Sequence, residues 1–150
     1  MTLANVSFGI FAFTPFGWLF MALIIILESW IASRYLAGKK LDRTITRSFL
    51  AGNIISGIVG IAASMLATGG WWLVVWFPWV TGHEVKPDAL PGFIVYYLVA
   101  FVLSVLIEWG VNQAVLHKKY KSGPIFKATL FANIASYIFG SGALLLVSLF

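Results

Sequence analysis

The chain has 150 residues, of which 61% are hydrophobic and only 10% are charged, and its mean hydropathy is +0.95. Soluble domains carry about 25% charged residues, so this composition excludes an ordinary soluble domain and predicts an integral membrane protein. The net charge of +5 would suggest nucleic acid in a soluble protein, but here it lies in short loops, and we expect no nucleic-acid partner. Cysteine is absent, which excludes disulfides and thiolate metal sites.

Four apolar segments, each long enough to cross a bilayer, predict four transmembrane helices. In chain order they cover about residues 17–36, 45–67, 91–116 and 125–150. Pro15 precedes the first segment, and Gly69-Gly70 ends the second. The N-terminus lacks a basic region and a small-residue cleavage site, so we expect no cleaved signal peptide. The predicted fold is all-α, with residues 1–150 as one transmembrane domain.

The connections between these segments differ in charge. The first is basic apart from Asp42, with Arg34, Lys39, Lys40, Arg43 and Arg47. The third has no acid and carries His117, Lys118, Lys119, Lys121 and Lys127. The middle connection, about 69–90, carries Glu84 and Asp88 against Lys86. The positive-inside rule therefore predicts cytoplasmic basic loops and both termini outside, in a bacterial inner or thylakoid-type membrane.

The middle connection is also rich in tryptophan, with Trp71, Trp72, Trp76 and Trp79. Tryptophan concentrates where hydrocarbon meets lipid headgroups, because its ring is apolar and its N–H needs a partner. Residues 71–80 are therefore predicted to lie along the outer interface as an anchor. A docking surface for another membrane protein is the alternative.

One polar pattern occurs twice in the chain. Its first copy is Glu28, Asn53, Ser56 and Gly60, and its second, 80 positions later, is Glu108, Asn133, Ser136 and Gly140. A Glu and an Asn in apolar segments are costly unless they are paired, so the recurrence is informative. It predicts two tandem helical hairpins, about 16–67 and 91–150, with the same orientation. Such parallel repeats pack as a pseudo-twofold four-helix bundle.

Residue depth pairs the polar side chains within each hairpin. Glu28 lies six positions before Arg34, and Asn53 lies six positions after Arg47. At 1.5 Å per residue both are about 9 Å inside the basic boundary. We therefore expect a hydrogen bond from the Asn53 amide to the Glu28 carboxyl, and the same bond from Asn133 to Glu108. Ser56 and Ser136 lie one turn further in, on the helix faces of their asparagines.

Small residues predict close helix packing at the same depth. The runs are Gly52, Ser56 and Gly60 in the second segment and Ala132, Ser136 and Gly140 in the fourth. Such runs let helix backbones approach in membranes. The third segment adds a polar stripe of Ser104, Glu108 and Asn112, with Gln113 beside it, which favours a partner inside a bundle or a subunit interface over lipid.

The chemistry of the Glu–Asn–Ser clusters has three interpretations. They can be buried structural pins that fix helix register, with the Glu protonated; an ion or proton path; or a divalent-cation site, since carboxylates and amides are hard ligands. His83, Glu84 and Asp88 form a low-specificity metal pattern in the middle connection. We predict no metal site and no cofactor, with bound lipid compatible. The chain contains no Ser-His-Asp arrangement, P-loop, GxGxxG or HExxH motif, so we expect no catalysis.

The pattern from Glu28 to Gly60 resembles that of the cyanobacterial filament-integrity protein FraC family. The resemblance lies in a Glu, an apolar turn with Leu, a short basic loop and N-x-x-S-x-x-x-G, and it covers 28–60 and the copy at 108–140. Members of that family are small polytopic proteins tied to septal cell–cell junctions. The resemblance implies a non-enzymatic role in a membrane assembly, with Glu28, Asn53, Ser56 and Gly60 as the motif positions.

The sequence thus predicts a non-catalytic structural or assembly subunit of a larger membrane complex. Its expected partners are other integral membrane proteins and lipid, with a homo-oligomer also possible. The alternative is a small oligomeric transporter or channel that uses the intramembrane carboxylates Glu28 and Glu108.

Overall fold

Four long helices and one short ribbon make up the part of the chain that the computed structural model describes. That part is residues 15–68, 80–81, 84–85 and 90–148, with side chains described for 18–60, 62 and 97–142. The elements are α1 (Pro15–Ala37), α2 (Arg43–Thr68), β1 (Val80–Thr81), β2 (Glu84–Val85), α3 (Leu90–Leu116) and α4 (Ser122–Ser148). The all-α fold and the four predicted helices are confirmed.

Proline marks the first turn of three of these helices. Pro15 begins α1, Pro91 follows the first residue of α3, and Pro124 lies in the first turn of α4. Proline is tolerated there because its missing N–H would have no partner inside the helix anyway. Because Pro124 fits the first turn, α4 begins at Ser122, two residues before it, and not after Gly123-Pro124 as predicted from the sequence.

The connection between α2 and α3 contains a two-residue antiparallel ribbon. Val80 pairs with Val85, and Thr81 pairs with Glu84. The interfacial prediction for residues 71–80 falls mainly outside the described residues, as do Trp71, Trp72, Trp76 and Trp79.

The first hairpin turns tightly because both helix ends at the loop are capped. Gly38 has a φ of 66°, a conformation that suits glycine, and its N–H donates to the carbonyl of Arg34 at 3.2 Å. Asp42 Oδ1 then accepts from the backbone N–H groups of Thr44 and Ile45, at 3.0 and 3.2 Å. These bonds satisfy the first N–H groups of α2. The loop can therefore return the chain within a few residues.

The four helices form an antiparallel bundle in which each packs against two others. α1 lies against α2 and α4, and α3 lies against the same two helices. Near the two short loops the bundle centre is apolar, with Ala32, Ile45, Phe49, Leu116, Ile125, Ala128 and Ala132 buried together. We call this apolar cluster the loop-end core. The polar centre of the bundle begins on its side away from the loops.

The outer surface of the bundle is apolar. Large apolar side chains such as Trp18, Ile58 and Ile138 are exposed. Two helices in the described part are long and apolar enough to cross a membrane by length and composition, over Trp18–Ala37 and Tyr97–Leu116. Only 22% and 17% of these windows are buried, whereas a core helix of a soluble protein would be mostly covered.

Candidate functional site

The polar centre of the bundle is built from one main residue on each helix. α1 brings Glu28, α2 brings Asn53, α3 brings Glu108 and α4 brings Asn133. Their exposed fractions are 1%, 5%, 3% and 1%. All four predicted residues therefore meet inside the bundle, away from its outer surface.

Each asparagine bonds the glutamate of its own hairpin, as the sequence predicts. Asn53 Nδ2 lies 2.6 Å from Glu28 Oε2, and Asn133 Nδ2 lies 2.8 Å from Glu108 Oε2. The same amides also donate to backbone carbonyls one turn back, those of Phe49 at 3.0 Å and Thr129 at 3.1 Å. The second bond holds each amide in place, because a side chain tied to its own helix has fewer rotamers available.

The serines make the contacts that the sequence analysis does not predict. Ser56 Oγ, from the first hairpin, lies 3.1 Å from Glu108 Oε1 of the second. Ser136 Oγ, from the second hairpin, donates to the Asn133 carbonyl at 3.0 Å and lies near the carboxyl group of Glu28 in the first. The asparagines thus act within each hairpin, whereas the serines connect the two hairpins. Each serine thus lies near the glutamate of the other hairpin, as the pseudo-twofold symmetry of the repeat requires.

The two carboxyl groups are neighbours at the centre of this arrangement. Asn53 and Ser56, which lie one turn apart on α2, bond the carboxyl groups of Glu28 and Glu108 respectively, so the two carboxyl groups lie side by side. The described basic side chains all belong to the loops and to the helix turns next to them, so none lies beside the pair. Each glutamate therefore has a second carboxyl group, and no described basic group, beside it.

Small residues allow the close approach of the helices around the pair. A Cβ built on Gly52 would lie 3.4 Å from Glu108 Cγ, and one on Gly140 would lie 3.5 Å from Phe20 Cζ. Ala132, the repeat counterpart of Gly52, is fully buried. Gly60 departs from the predicted packing run: it is exposed, and a Cβ there would meet no described atom within 4 Å. The run therefore turns away from the bundle at Gly60.

The polar stripe of α3 finds its partners inside the bundle. Asn112 Oδ1 accepts from Ser48 Oγ at 2.6 Å, and Asn112 Nδ2 donates to Thr129 Oγ1 at 3.1 Å. Asn112 therefore ties α3 to α2 and α4. Gln113 does not join this network, and its buried Oε1 has no hydrogen-bond partner among the described atoms.

On the other side of the pair, hydroxyl groups line the α3–α4 contact. Tyr137 OH lies 3.2 Å from Ser104 Oγ, and Tyr97 OH lies 2.7 Å from Ser141 Oγ. Tyr97 OH also donates to the Tyr137 carbonyl at 3.0 Å. We call these four residues the hydroxyl seam.

Only the second hairpin carries the hydroxyl seam. The residues 80 positions earlier are Gly17, Ile24, Gly57 and Ile61, none of which has a polar side chain. Likewise, the residues 80 positions before Thr129 and Asn112 are the apolar Phe49 and Ala32. Most of these residues are not predicted from the sequence, because single hydroxyls are common in transmembrane helices. Comparison of the two repeat copies position by position would have found them.

No metal centre is evident in the part of the chain that the structure describes. No group of three or more His, Asp or Glu side chains comes together there. The described surface grooves are apolar: one of about 300 Å³ is lined by Leu23, Ile26, Leu27, Trp30 and Phe139, and another by Leu98, Val99, Val102 and Leu103. Neither has the polar lining that would suit a hydrophilic substrate.

The two short loops meet at one end of the bundle. Lys119 Nζ lies 3.4 Å from Asp42 Oδ2. Hydrogen bonds from the backbone N–H groups of Ile45 and then Thr44, followed by the Lys119 ammonium, lower the pKa of Asp42 below its ordinary value. The other basic side chains of the loops are exposed. Both predicted basic loops therefore lie on the same end.

Comparison with models of protein families, with curated proteins and with solved structures gives no match to this chain. Function is therefore inferred from two features of the molecule, its buried polar centre and its apolar outer surface.

Proposed function

We propose that this chain is an integral membrane protein whose four helices all cross the bilayer and which acts as a non-catalytic structural or assembly subunit. The apolar outer surface of the bundle supports this proposal, because in water it would be an extended exposed hydrophobic patch. The polar centre supports it as well, since buried polar groups that bond each other hold helices together in hydrocarbon.

The observation that carries the structural role is how the carboxyl groups are engaged. Glu28 and Glu108 are bonded by Asn53 and Asn133, and serines of the opposite hairpins lie beside them. The described grooves lie on the outer surface and do not include either glutamate in their lining. In this arrangement the carboxyl groups fix the register of the bundle. They present no open site to a substrate.

The proposed partners are other integral membrane proteins and lipid. The contacts with partners would come from the apolar helix faces, on which large side chains such as Trp18, Ile58 and Ile138 are exposed. The motif resemblance to filament-integrity proteins agrees with an assembly role. We further propose a bacterial inner or thylakoid-type membrane, with the basic loops cytoplasmic and both termini outside.

The test is purification of the full chain from its native membrane in a mild detergent, with covalent cross-linking before extraction. We expect other integral membrane proteins to be recovered in fixed stoichiometry. The Glu28→Gln variant should be recovered with the same partners, since glutamine can still bond Asn53. Recovery of the wild-type chain only as a homogeneous oligomer of itself would contradict the subunit proposal.

A small transporter or channel is the second candidate, and the contact between the two carboxyl groups on the bundle axis favours it. Its test is ion or proton flux through liposomes that contain only this chain. Flux that disappears in both Glu28→Gln and Glu108→Gln, with the fold retained, would establish this candidate. Under the structural proposal the wild-type chain gives no flux above that of empty liposomes.

A further inference from the structure

The two carboxyl groups lie at the contact between the hairpins. Glu28 belongs to the α1–α2 hairpin and Glu108 to the α3–α4 hairpin, and each glutamate is held by the asparagine of its own hairpin. Contact between the carboxyl groups therefore joins two units that are each hydrogen-bonded internally. A change at this contact can alter how the hairpins meet without breaking either hairpin.

Among the described residues, the groups around the pair include no positive charge. α2 brings Asn53 and Ser56, and α4 brings Asn133 and Ser136, none of which ionises. Tyr137 of α4 is the other described ionisable side chain whose charge would act on the pair. Two carboxylates in contact in an apolar bundle would repel each other with nothing nearby to offset them. The pair is therefore compatible with one negative charge at most, and it needs a proton.

We propose that a proton shared between Glu28 and Glu108 latches the two hairpins together and that its loss opens the contact between them. With the proton present, one carboxyl donates to the other across the interface. Without it, two carboxylates face each other and separate. Raising the pH therefore opens the α2–α3 and α1–α4 contacts at this depth. The contacts within each hairpin stay closed because the asparagine bonds to carboxylates remain.

The proton reaches the pair from the end of the bundle away from the short loops. On the loop side the buried hydroxyls of Ser48 and Thr129 both bond the Asn112 side-chain amide, which does not relay protons readily, and nearer the loops the loop-end core closes the bundle with apolar side chains. On the other side the hydroxyl seam begins next to the pair, with Ser104 one helical turn from Glu108. In the proposed membrane topology, the latch therefore responds to the compartment that faces the helix ends away from the short loops.

The experiment measures distances between two spin labels on introduced cysteines as the pH changes. Because the chain has no cysteine of its own, Ile58→Cys with Val102→Cys places labels on α2 and α3 of different hairpins. Both positions are exposed, so the labels do not disturb the bundle. In detergent micelles, we expect the short-distance population of the wild-type protein to be lost as the pH rises and recovered on return to acid.

Two controls separate the latch from general unfolding. Val102→Cys with Ile138→Cys labels α3 and α4 of one hairpin, and this distance should not change over the same pH range. Glu28→Gln should keep the short distance between hairpins at every pH, because its amide donates to Glu108 permanently. Glu108→Gln makes the same change from the other hairpin and serves if Glu28→Gln fails to fold.

A distance between hairpins that does not depend on pH in the wild-type protein would overturn the latch. The same transition in wild-type and glutamine variants would also overturn it, as would equal changes within and between hairpins. The side of access is tested by infrared measurement of deuterium exchange at the shared carboxyl proton. Ser104→Ala should slow the exchange and Ser48→Ala should not. The opposite result would place access at the loops.

Discussion

At the scale of single residues, the bundle shows how a carboxyl group is held inside an apolar protein. Asn53 and Asn133 each use one amide group twice, once for the glutamate and once for a carbonyl of their own helix. The bond to the carbonyl of its own helix already restricts the amide, so less rotamer entropy is lost when the Glu–Asn bond forms. The Ser56 hydroxyl has a single proton for two acceptors, the Asn53 carbonyl and Glu108 Oε1. Its bond to Glu108 is therefore weaker than the Asn–Glu bonds.

Substitution of Glu28 and Asn53 tests whether the hydrogen bond between them stabilises the bundle. Glu28→Gln should have little effect on stability, since glutamine keeps the stem and can accept from Asn53. Glu28→Ala should lower the free energy of unfolding by about 1–2 kcal/mol, from a lost interhelical bond and a small cavity. Asn53→Ala should cost a similar amount.

The double variant should then be only slightly less stable than Glu28→Ala, because both changes remove one interaction. Unfolding by sodium dodecyl sulfate in mixed micelles measures the wild-type protein and each of these variants. Glu108→Ala with Asn133→Ala is the matched cycle in the other hairpin and should show the same coupling. Additive losses in both cycles would mean that the Glu–Asn bonds do not contribute as pairs.

At the scale of helices, the packing depends on which small residues face a neighbour. Gly52 lies against the backbone and side chain of Glu108, whereas Gly60, two turns further along α2, is exposed. A small-xxx-small run marks a helix face, but only the residues at the crossing point lie in contact. Gly52 is therefore the position on α2 at which side-chain size should matter.

Gly52→Leu should separate α2 from α3 and lower the free energy of unfolding by about 1–3 kcal/mol, the usual loss from overpacking. Gly52→Ala should be tolerated, because one added Cβ meets Glu108 at ordinary contact distance and Ala132 fills the equivalent place. Gly60→Leu is the matched control and should be neutral. Unfolding in mixed micelles measures each variant, and an equal loss at both glycines would show that α2 packs differently.

The start of α2 gives a second prediction at this scale. Asp42→Ala removes the side chain that caps the helix and should lower the free energy of unfolding by about 1 kcal/mol, whereas Asp42→Asn should retain most of the cap. Lys119→Ala should change stability little, because the lysine side chain of that ion pair is half exposed to solvent.

The pH dependence of the Asp42 contribution has a defined sign. Since its pKa is lowered in the folded protein, the stability that Asp42 adds is present above the ordinary carboxyl value of 3.8 and is lost as the pH falls through the lowered value. Unfolding of the wild-type and Asp42→Asn proteins between neutral and acidic pH measures it. A difference that grows as the pH falls would contradict the assignment.

At the scale of the whole molecule, charge and hydropathy are separated along the bundle. The exposed basic side chains lie at the loop end, the apolar faces form the sides, and the polar groups are enclosed at the centre. This distribution suits a bilayer in which the loop end faces the cytoplasm.

The orientation can be measured with single cysteines at Lys40, Lys121 and Glu84, each the sole cysteine of its variant. In intact cells, an impermeant thiol reagent should label Glu84→Cys and leave Lys40→Cys and Lys121→Cys unlabelled. All three should react once the membrane is permeabilised, which controls for buried thiols. Labelling of the loop positions in intact cells would reverse the proposed topology.

Much of the architecture followed from the sequence alone. Hydropathy set the four helices. The matching depths of Glu28 and Asn53 predicted the bond that joins them, and the 80-residue repeat predicted the same bond between Glu108 and Asn133. These features could be predicted because they are local to one hairpin. A short loop leaves two helices little choice but to lie antiparallel, so depth along each helix determines which residues meet.

The contacts between hairpins were decided by the tertiary structure. The approach of Ser56 to Glu108, the contact between the two carboxyl groups and the Ser48–Asn112 bond all depend on which faces of the hairpins meet. Sequence spacing does not determine that choice, since rotation of one hairpin about its axis changes every contact while depth is unchanged. The rotation is selected by packing at the crossing points, where Gly52 fits against Glu108 and Gly60 is left facing outward.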